Sequence, residues 1–482
     1  MPAETRIHDI QGFSGGESDD ITRWPKDSFY SWENIEVRKD LSWIKLTPKM
    51  VDTWWSISGD IIFMKNLADF WYSGIVVATD TGNVYLNWTL KTTLATGTNA
   101  WNRIMAMWVN VISWTTYFYY CTQTSSWEWK VHRSTTNLTT WNVSYRSFTT
   151  ANLSSPKVKW ISTWFGVYFA INNCVVLLDN TETASIALQL PELEEAYGFT
   201  YFQNNFKIYT NFGNQWVQYY WDWLDTFPSY RQVWDNQNIL EVVNNGAFDY
   251  AVLGFKSSES YNDLYIISGT QKEPVRVNLE ANTNSRIFDW YMSIREDIVY
   301  ISGGKSGEST NYWVYTYWNY YPWTPKSLVQ SYSHSASYKV LFHVHDSAAS
   351  YFATQDNKVY QISHNNPPAN YSTSWYVISQ IYSWNLWEEM KIDRIKVWFA
   401  LEAWTSFKIW HRKEIWGTWK LVKEFDYATF SDRNWYTISY RDFAAQNIWN
   451  MYTWEIKIEL FSNNWYTPIV KRVTTFYTTI NE

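Results

Sequence analysis

The sequence predicts an all-β chain whose central part is a β-propeller of about six or seven blades. Residues 75–90 read as an apolar strand of Ile, Val and Ala, an Asp-Thr-Gly-Asn turn, a second short strand and a further turn. β-Branched and aromatic residues bounded by turn formers are the signature of a hairpin. Versions of this unit recur at 117–132, 167–178, 206–220, 264–277, 298–317 and 351–362. Their starts lie roughly 35 to 60 residues apart, the period that a propeller blade of several short strands leaves in sequence. Composition agrees: 46% of the chain is hydrophobic, and Tyr, Thr, Val and Ile dominate over helix-forming windows.

The hairpin unit also carries an anomaly. Its last turn is Asn87-Trp88, at a place where two residues should have positive φ, which glycine tolerates and a bulky side chain does not. Asn434-Trp435 and Asn464-Trp465 repeat the pattern, Trp54-Trp55 and Trp127 sit in Thr/Ser-rich turns, Trp24 precedes Pro25, and Trp416 and Trp223 mark further hairpin ends. The chain has 35 Trp and only 17 Gly, about half the roughly 34 glycines of an average protein this long. The sequence therefore predicts that many of these tryptophans stand where the living organism has glycine, as when a UGA codon read as glycine is written with a code that reads it as tryptophan. Trp101, Trp129, Trp141, Trp387, Trp410, Trp419 and Trp454 sit among strand-like apolar neighbours and read as genuine core aromatics. A second reading is an aromatic, sugar-stacking surface, which should place Trp at one regular position in each repeat.

In chain order, residues 1–60 read as an N-terminal arm with the first strands, 61–375 as the propeller and 376–482 as an antiparallel β-sandwich. The arm opens with a short strand at Ile7 and a glycine turn at Gly15 and Gly16. Within the propeller, 179–199 carries Leu188, Leu190, Leu193 and Ala196 beside Glu192, Glu194 and Glu195, and is the one place where a helical turn or two is expected. From 376 the pattern changes to clean alternation at 392–403, 406–412, 419–422, 436–439 and 454–460, the mark of half-buried antiparallel strands.

With Trp32 and Trp43 read as glycine, the N-terminus becomes a Phe-Ser-Gly-Gly turn, a Pro-x-Asp-Ser-Phe segment and a Gly-x-Asn-Ile-x-Val-Arg strand. In this form it resembles bacteriophage virion proteins of the head-to-tail hub and tail-nozzle type, through Phe13, Gly15, Gly16, Asn34, Ile35 and Arg38. The order propeller then sandwich is similar as well. The resemblance implies a structural tail protein synthesised in the host cytoplasm, forming a homo-oligomeric ring with portal, adaptor and other tail proteins, and conducting genomic double-stranded DNA without reading it. It assigns the six named residues to assembly contacts. The alternative function is a receptor- or glycan-binding propeller of a tail fibre or cell surface.

The remaining composition bounds the chemistry. A net charge of −7 without a basic stripe argues against sequence-reading nucleic-acid binding. Two cysteines, Cys121 and Cys174, are too few for a disulfide framework and read as small core residues. No signal peptide and no membrane span is expected. His343 and His345 share one face of a strand and form a candidate metal pair that lacks a third ligand. Asp222 and Asp225 beside aromatics have the composition of a glycosidase pair, but turn chemistry explains them better. Asp393, Glu388 and Glu389 read as a solvated entry to the sandwich. No nucleophile elbow or phosphate-cradling loop is present, so neither enzyme activity nor a cofactor is expected.

Overall fold

The computed structural model describes residues 5–11, 29–32, 35–36, 45–94, 104–149, 159–254, 262–275, 286–318, 327–332, 338–364, 371–379, 389–439 and 454–480, less short gaps at 71, 124–127, 135–137, 140, 164, 172, 182, 203–204, 214, 223–227, 235–236, 247, 269–270, 306–311, 373, 414–416 and 464. Among these residues, seven four-stranded antiparallel sheets follow one another along the chain. We number them I (61–93), II (104–149), III (159–189), IV (195–234), V (238–275), VI (286–332) and VII (340–363). Sheet VII has only three strands of its own. Its fourth is Val51–Asp52, from before sheet I, paired with Tyr360 and Gln361.

These sheets form a closed β-propeller, because each packs on the next through its own hydrophobic cluster and the last packs on the first. One cluster joins I to II through Val76, Ala78, Val109 and Phe118. Others join II to III, III to IV, IV to V, V to VI and VI to VII. The ring closes where Met64, Ile75 and Val77 of sheet I meet Val344, Ala353 and Val359 of sheet VII.

The closed ring explains the apolar runs in the sequence. Successive side chains of a strand point to opposite faces, and in a propeller both faces of a blade are covered. In the strand Gly166–Ile171, Val167, Phe169 and Ile171 face sheet II while Tyr168 and Ala170 face sheet IV. The strand Ile75–Thr79 divides the same way, with Val76 and Ala78 towards sheet II and Ile75 and Val77 towards sheet VII. A strand buried on both faces has no polar positions to alternate with.

One device recurs that the hairpin repeat did not reveal. In six of the seven sheets the pairing of the first strand with the second slips by extra residues on the first strand, two in sheet VI and one in the others: between Ile61 and Phe63, Ile104 and Ala106, Ala196 and Gly198, Ile239 and Glu241, Phe288 and Met292, and Val340 and Phe342. Sheet III pairs without a slip. A bulge adds right-handed twist and re-aims the side chains beside it.

The segment expected to be helical is extended. Leu188 and Leu190 are buried on either side of exposed Gln189, as in a strand, while residues 191–193 are exposed in a turn and Glu194 is buried again. Strands Ala184–Gln189 and Glu195–Phe202 flank a turn closed by the Glu194 amide donating to the Pro191 carbonyl at 3.0 Å. Glu194 faces inward because Thr210 and Tyr219 hydroxyls and the Arg231 guanidinium all donate to its carboxylate, at 2.7 to 2.8 Å. The one α-helical turn among the described residues is Tyr427–Phe430, capped by the Asp426 carboxylate accepting from the Thr429 amide at 2.9 Å.

Beyond the propeller, two sheets face each other across one core. Sheet VIII has the order Thr5–Gln11, Ile469–Ile480, Glu389–Ala400, Trp435–Ser439. Sheet IX has the order Phe29–Trp32, Ser374–Ser379, Glu455–Phe461, Ser406–Arg412, Lys420–Asp426. Ile395, Val397 and Val473 of the one meet Phe407, Ile409 and Ile458 of the other in a shared hydrophobic cluster. The N-terminal segment thus adds an edge strand to each of these sheets. Its next strand, Ile35–Glu36, lies beside both Ser327–Tyr332 of sheet VI and Ser374–Ser379 of sheet IX.

Truncating residues 1–40 removes both edge strands but keeps Val51–Asp52. Limited proteolysis of the truncated protein should leave 61–363 as resistant as in the full chain, while cleavage within 389–480 rises several-fold. Unchanged resistance of both regions would show that the two added strands contribute nothing to sheets VIII and IX.

Candidate functional site at the propeller axis

The first strand of each sheet lies beside the first strand of the next from sheet II round to sheet I, so side chains from these strands converge on the axis. Lys159 of sheet III and Glu241 of sheet V form an ion pair there, spanning the inner end of sheet IV. Glu241 is buried and also accepts from the Val242 amide at 3.2 Å. Two tyrosines on the bulged parts of their strands share its field. The Tyr197 hydroxyl is pushed up to about 12, first by burial and then by Glu241 and Glu195. Burial, with Glu241 second, raises Tyr291 further. On the other side, the Lys65 ammonium of sheet I lies 5.8 Å from the Trp160 ring of sheet III and 5.9 Å from Phe70. The axis is therefore crossed by side chains. Burial holds the two tyrosine hydroxyls there in their neutral form.

A second buried network joins sheets VI and VII. The Ser293 hydroxyl bonds both His343 Nδ1 and His345 Nε2, the latter at 2.7 Å. His345 Nδ1 bonds the Ser350 hydroxyl at 2.6 Å, which bonds His364 Nε2 at 2.6 Å. Burial lowers His343 to about 3, opposed by a hydrogen bond at the Tyr291 backbone. Burial also holds His345 well below its usual range, with repulsion from His343, His364 and Arg295 adding to it. The two imidazoles expected to form a metal pair are thus bridged by a serine hydroxyl, and among the described residues no three His, Cys, Asp or Glu side chains are grouped to hold a metal ion. Chemically this is a chain of imidazoles and hydroxyls that pairs most of its buried polar atoms, with His343 Nε2 left without a hydrogen-bond partner among the described residues.

Asp249 makes a third cluster between sheets IV and V. Fully buried, it receives Lys207 Nζ at 2.6 Å, the Tyr209 hydroxyl at 2.7 Å and Asn244 Nδ2 at 2.5 Å. Neither Glu241, Asp249 nor Ser293 was singled out by the sequence; the available signal was a charged residue inside an otherwise apolar strand, as in Asn-Ile-Leu-Glu-Val-Val.

The residues that were singled out fall elsewhere. Phe13, Gly15, Gly16, Asn34 and Arg38 lie outside the described residues, and Ile35 opens the strand Ile35–Glu36, paired with Leu46. Asp222 follows the strand Gln215–Trp221, while Asp225 and Glu388 lie outside the described residues. Asp393 accepts from the Thr478 hydroxyl inside sheet VIII; Glu389 opens the strand Glu389–Ala400. Cys121 and Cys174 are buried free thiols in the cluster between sheets II and III, and burial raises both, Cys174 to about 11. Trp129 and Trp454 are fully buried, Trp141, Trp410 and Trp419 are half-buried, and Trp101 and Trp387 lie outside the described residues.

Two measurements follow from this geometry. Lys159→Met leaves the Glu241 carboxylate buried without its counter-ion and should cost about 1–3 kcal/mol in a denaturant melt, Lys159 being partly exposed, while the double variant with Glu241→Gln should recover most of the loss. For His343, a folded value near 3 against 6.5 unfolded means that the unfolded chain takes up the proton first. Stability should be full above pH 6.5 and fall as pH drops from 6.5 towards 3. Thermal melts between pH 7.5 and 4.5 should show this fall, and His343→Gln should flatten it; identical pH profiles for the two proteins would remove His343 from the account.

Comparison with known proteins adds likenesses of fold only. No family model matches the chain, and no curated protein matches it. Among solved structures, YCF48 bound to D1 peptide is similar at a TM-score of 0.47 and 8% identity over 70% of this chain and 100% of that chain. The Dos1 propeller gives 0.39 and 14% over 60% and 75%, and the Neurospora crassa Pan2 WD40 domain 0.39 and 11% over 63% and 88%. At such scores the assignment of a propeller rests on the sheet order and seam packing described above.

Proposed function

We propose that this chain is a structural protein of a bacteriophage tail, a subunit of a head-to-tail hub or nozzle whose copies close into a ring around passing double-stranded DNA. The observation that carries the reading is the N-terminal segment with Phe13, Gly15, Gly16, Asn34, Ile35 and Arg38, which resembles that protein class and stands before a propeller and a two-sheet unit. In support, the strand that begins at Ile35 touches both the propeller and sheet IX, which favours one rigid body presented to its neighbours. Rings of identical subunits need head-to-tail contacts, since only these close into a cycle. Side chains cross the propeller's own axis, so on this reading the DNA passes through the lumen between subunits. A mildly acidic chain, at −7, suits a wall along which phosphates move without sticking.

A receptor- or glycan-binding propeller is the second reading, favoured by exposed aromatics on two neighbouring tips. Trp404 is 84% exposed, Trp465 64% and Tyr466 45%, and the tips are joined by Asn463 Nδ2 donating to the Ala403 carbonyl at 2.8 Å. Electron microscopy of the purified protein and protein identification in purified particles separate the two. The tail reading expects closed rings and the chain among particle proteins. A monodisperse monomer absent from particles, with glycan-array hits of millimolar affinity or tighter, would favour the second reading.

A further inference from the structure

Nine non-glycine residues among those described have positive φ, and four of them are tryptophan: Trp54 at 59°, Trp88 at 71°, Trp114 at 67° and Trp404 at 63°. Tryptophan makes up 35 of 482 residues, so chance would put fewer than one in a set of nine. A non-glycine residue in this region brings Cβ against the backbone, and a bulky one is a true outlier. Asparagine, which tolerates the region, accounts for Asn87 and Asn357.

The positions are the ones glycine fills. Asn87-Trp88 is the two-residue loop between the strands Asn83–Leu86 and Thr89–Thr93, with φ of 45° and 71°. Ser113-Trp114 is the two-residue loop between Ile104–Ile112 and Thr115–Gln123, with φ of 48° and 67°. Positive φ at both loop residues defines the type I′ turn, whose second place goes to glycine. Trp404 sits in the turn closed by the Thr405 amide donating to the Glu402 carbonyl at 3.1 Å. Trp54 follows a turn in which the Asp52 carboxylate accepts from its amide at 2.7 Å. Gly82 and Gly213 hold the same backbone region at other turns, at 87° and 61°.

Three of the four indoles stand largely in solvent. Trp54, Trp114 and Trp404 are 87%, 82% and 84% exposed. Trp88 is 44% exposed, lying on Trp55 and Tyr351 with ring centroids at 4.3 and 5.8 Å. Trp108, Trp129, Trp216, Trp221 and Trp454, by contrast, are fully buried in the seams and the two-sheet core. Exposing an indole forgoes one of the larger apolar gains open to a fold.

From these two populations we infer that Trp54, Trp88, Trp114 and Trp404 are glycine in the protein as its own cells make it, and that the buried tryptophans are tryptophan there. A codon read two ways, as glycine by the source and as tryptophan in the written sequence, accounts for one population, and an ordinary tryptophan codon for the other. The inference stands apart from the tail reading, and it removes from the surface the exposed indoles at 54, 114 and 404 on which an aromatic binding face would depend.

Peptide mass spectrometry of the protein isolated from its natural source tests it. Peptides covering residues 54, 88, 114 and 404 should each be lighter by the difference between tryptophan and glycine, whereas peptides covering 108, 129, 216 and 454 should carry the tryptophan mass. Tryptophan at the four turn positions would overturn the inference. Glycine at the buried positions as well would overturn the separation by burial and backbone on which it rests.

Discussion

The structure depends on one constraint: a ring of sheets covers both faces of every sheet only if its last sheet meets its first. An uncovered apolar sheet face recruits other chains; closure of the ring covers the faces of its first and last sheets, while radial repetition leaves only short strand edges. Here the two meeting ends lie some 300 residues apart in sequence. Val51–Asp52 pairs with Tyr360 and Gln361, the Thr53 amide donates to the Val359 carbonyl at 3.1 Å, and Lys358 lies 3.2 Å from Asp52. Such hydrogen bonds are worth about 1 kcal/mol each, and the ion pair is half in water and worth less than that. Larger than either is the seam itself, where nine buried residues from both ends of the ring pack together at ~1.5–3 kcal/mol for each large aliphatic side chain. The short strand sets the register and the seam supplies the energy.

Closure also explains where the polar groups went. A ring buries both faces of each sheet, so any polar side chain on an inner strand must find a partner within the protein. Lys159 with Glu241, Lys207 and Tyr209 with Asp249, and Ser293 with His343 and His345 are the outcomes. All three lie between neighbouring or next-neighbouring sheets. They fix which sheet sits where, a kind of specificity that an apolar seam alone supplies poorly.

The sequence showed the propeller through its second and third strands, where burial on both faces leaves apolar runs and tight turns leave Gly, Asn and Asp. It showed the alternating strands of 389–461 for the opposite reason, because those have one wet face. Three things escaped it. The inner-strand bulges are a pairing property, and Ala196-Tyr197-Gly198 reads like any strand. The 179–199 segment reads as helical because Leu190 and Leu193 are spaced like a helical face, although Pro191 between them breaks one. Thr5–Gln11 and Phe29–Trp32 complete sheets whose other strands begin more than 340 residues later, a separation no local pattern can span. The axial cluster was invisible for the same reason: Lys159 and Glu241 are 82 residues apart and meet only once the ring has closed.

The central claim is that the chain seals its propeller with residues 51–53, and hydrogen exchange read by mass spectrometry tests it most directly. Peptides covering 51–53 and 358–361 should exchange in the same slow class as the fully buried strand Ile75–Thr79. Exchange of those two peptides at the rate of open chain, with 75–79 still protected, would contradict the account.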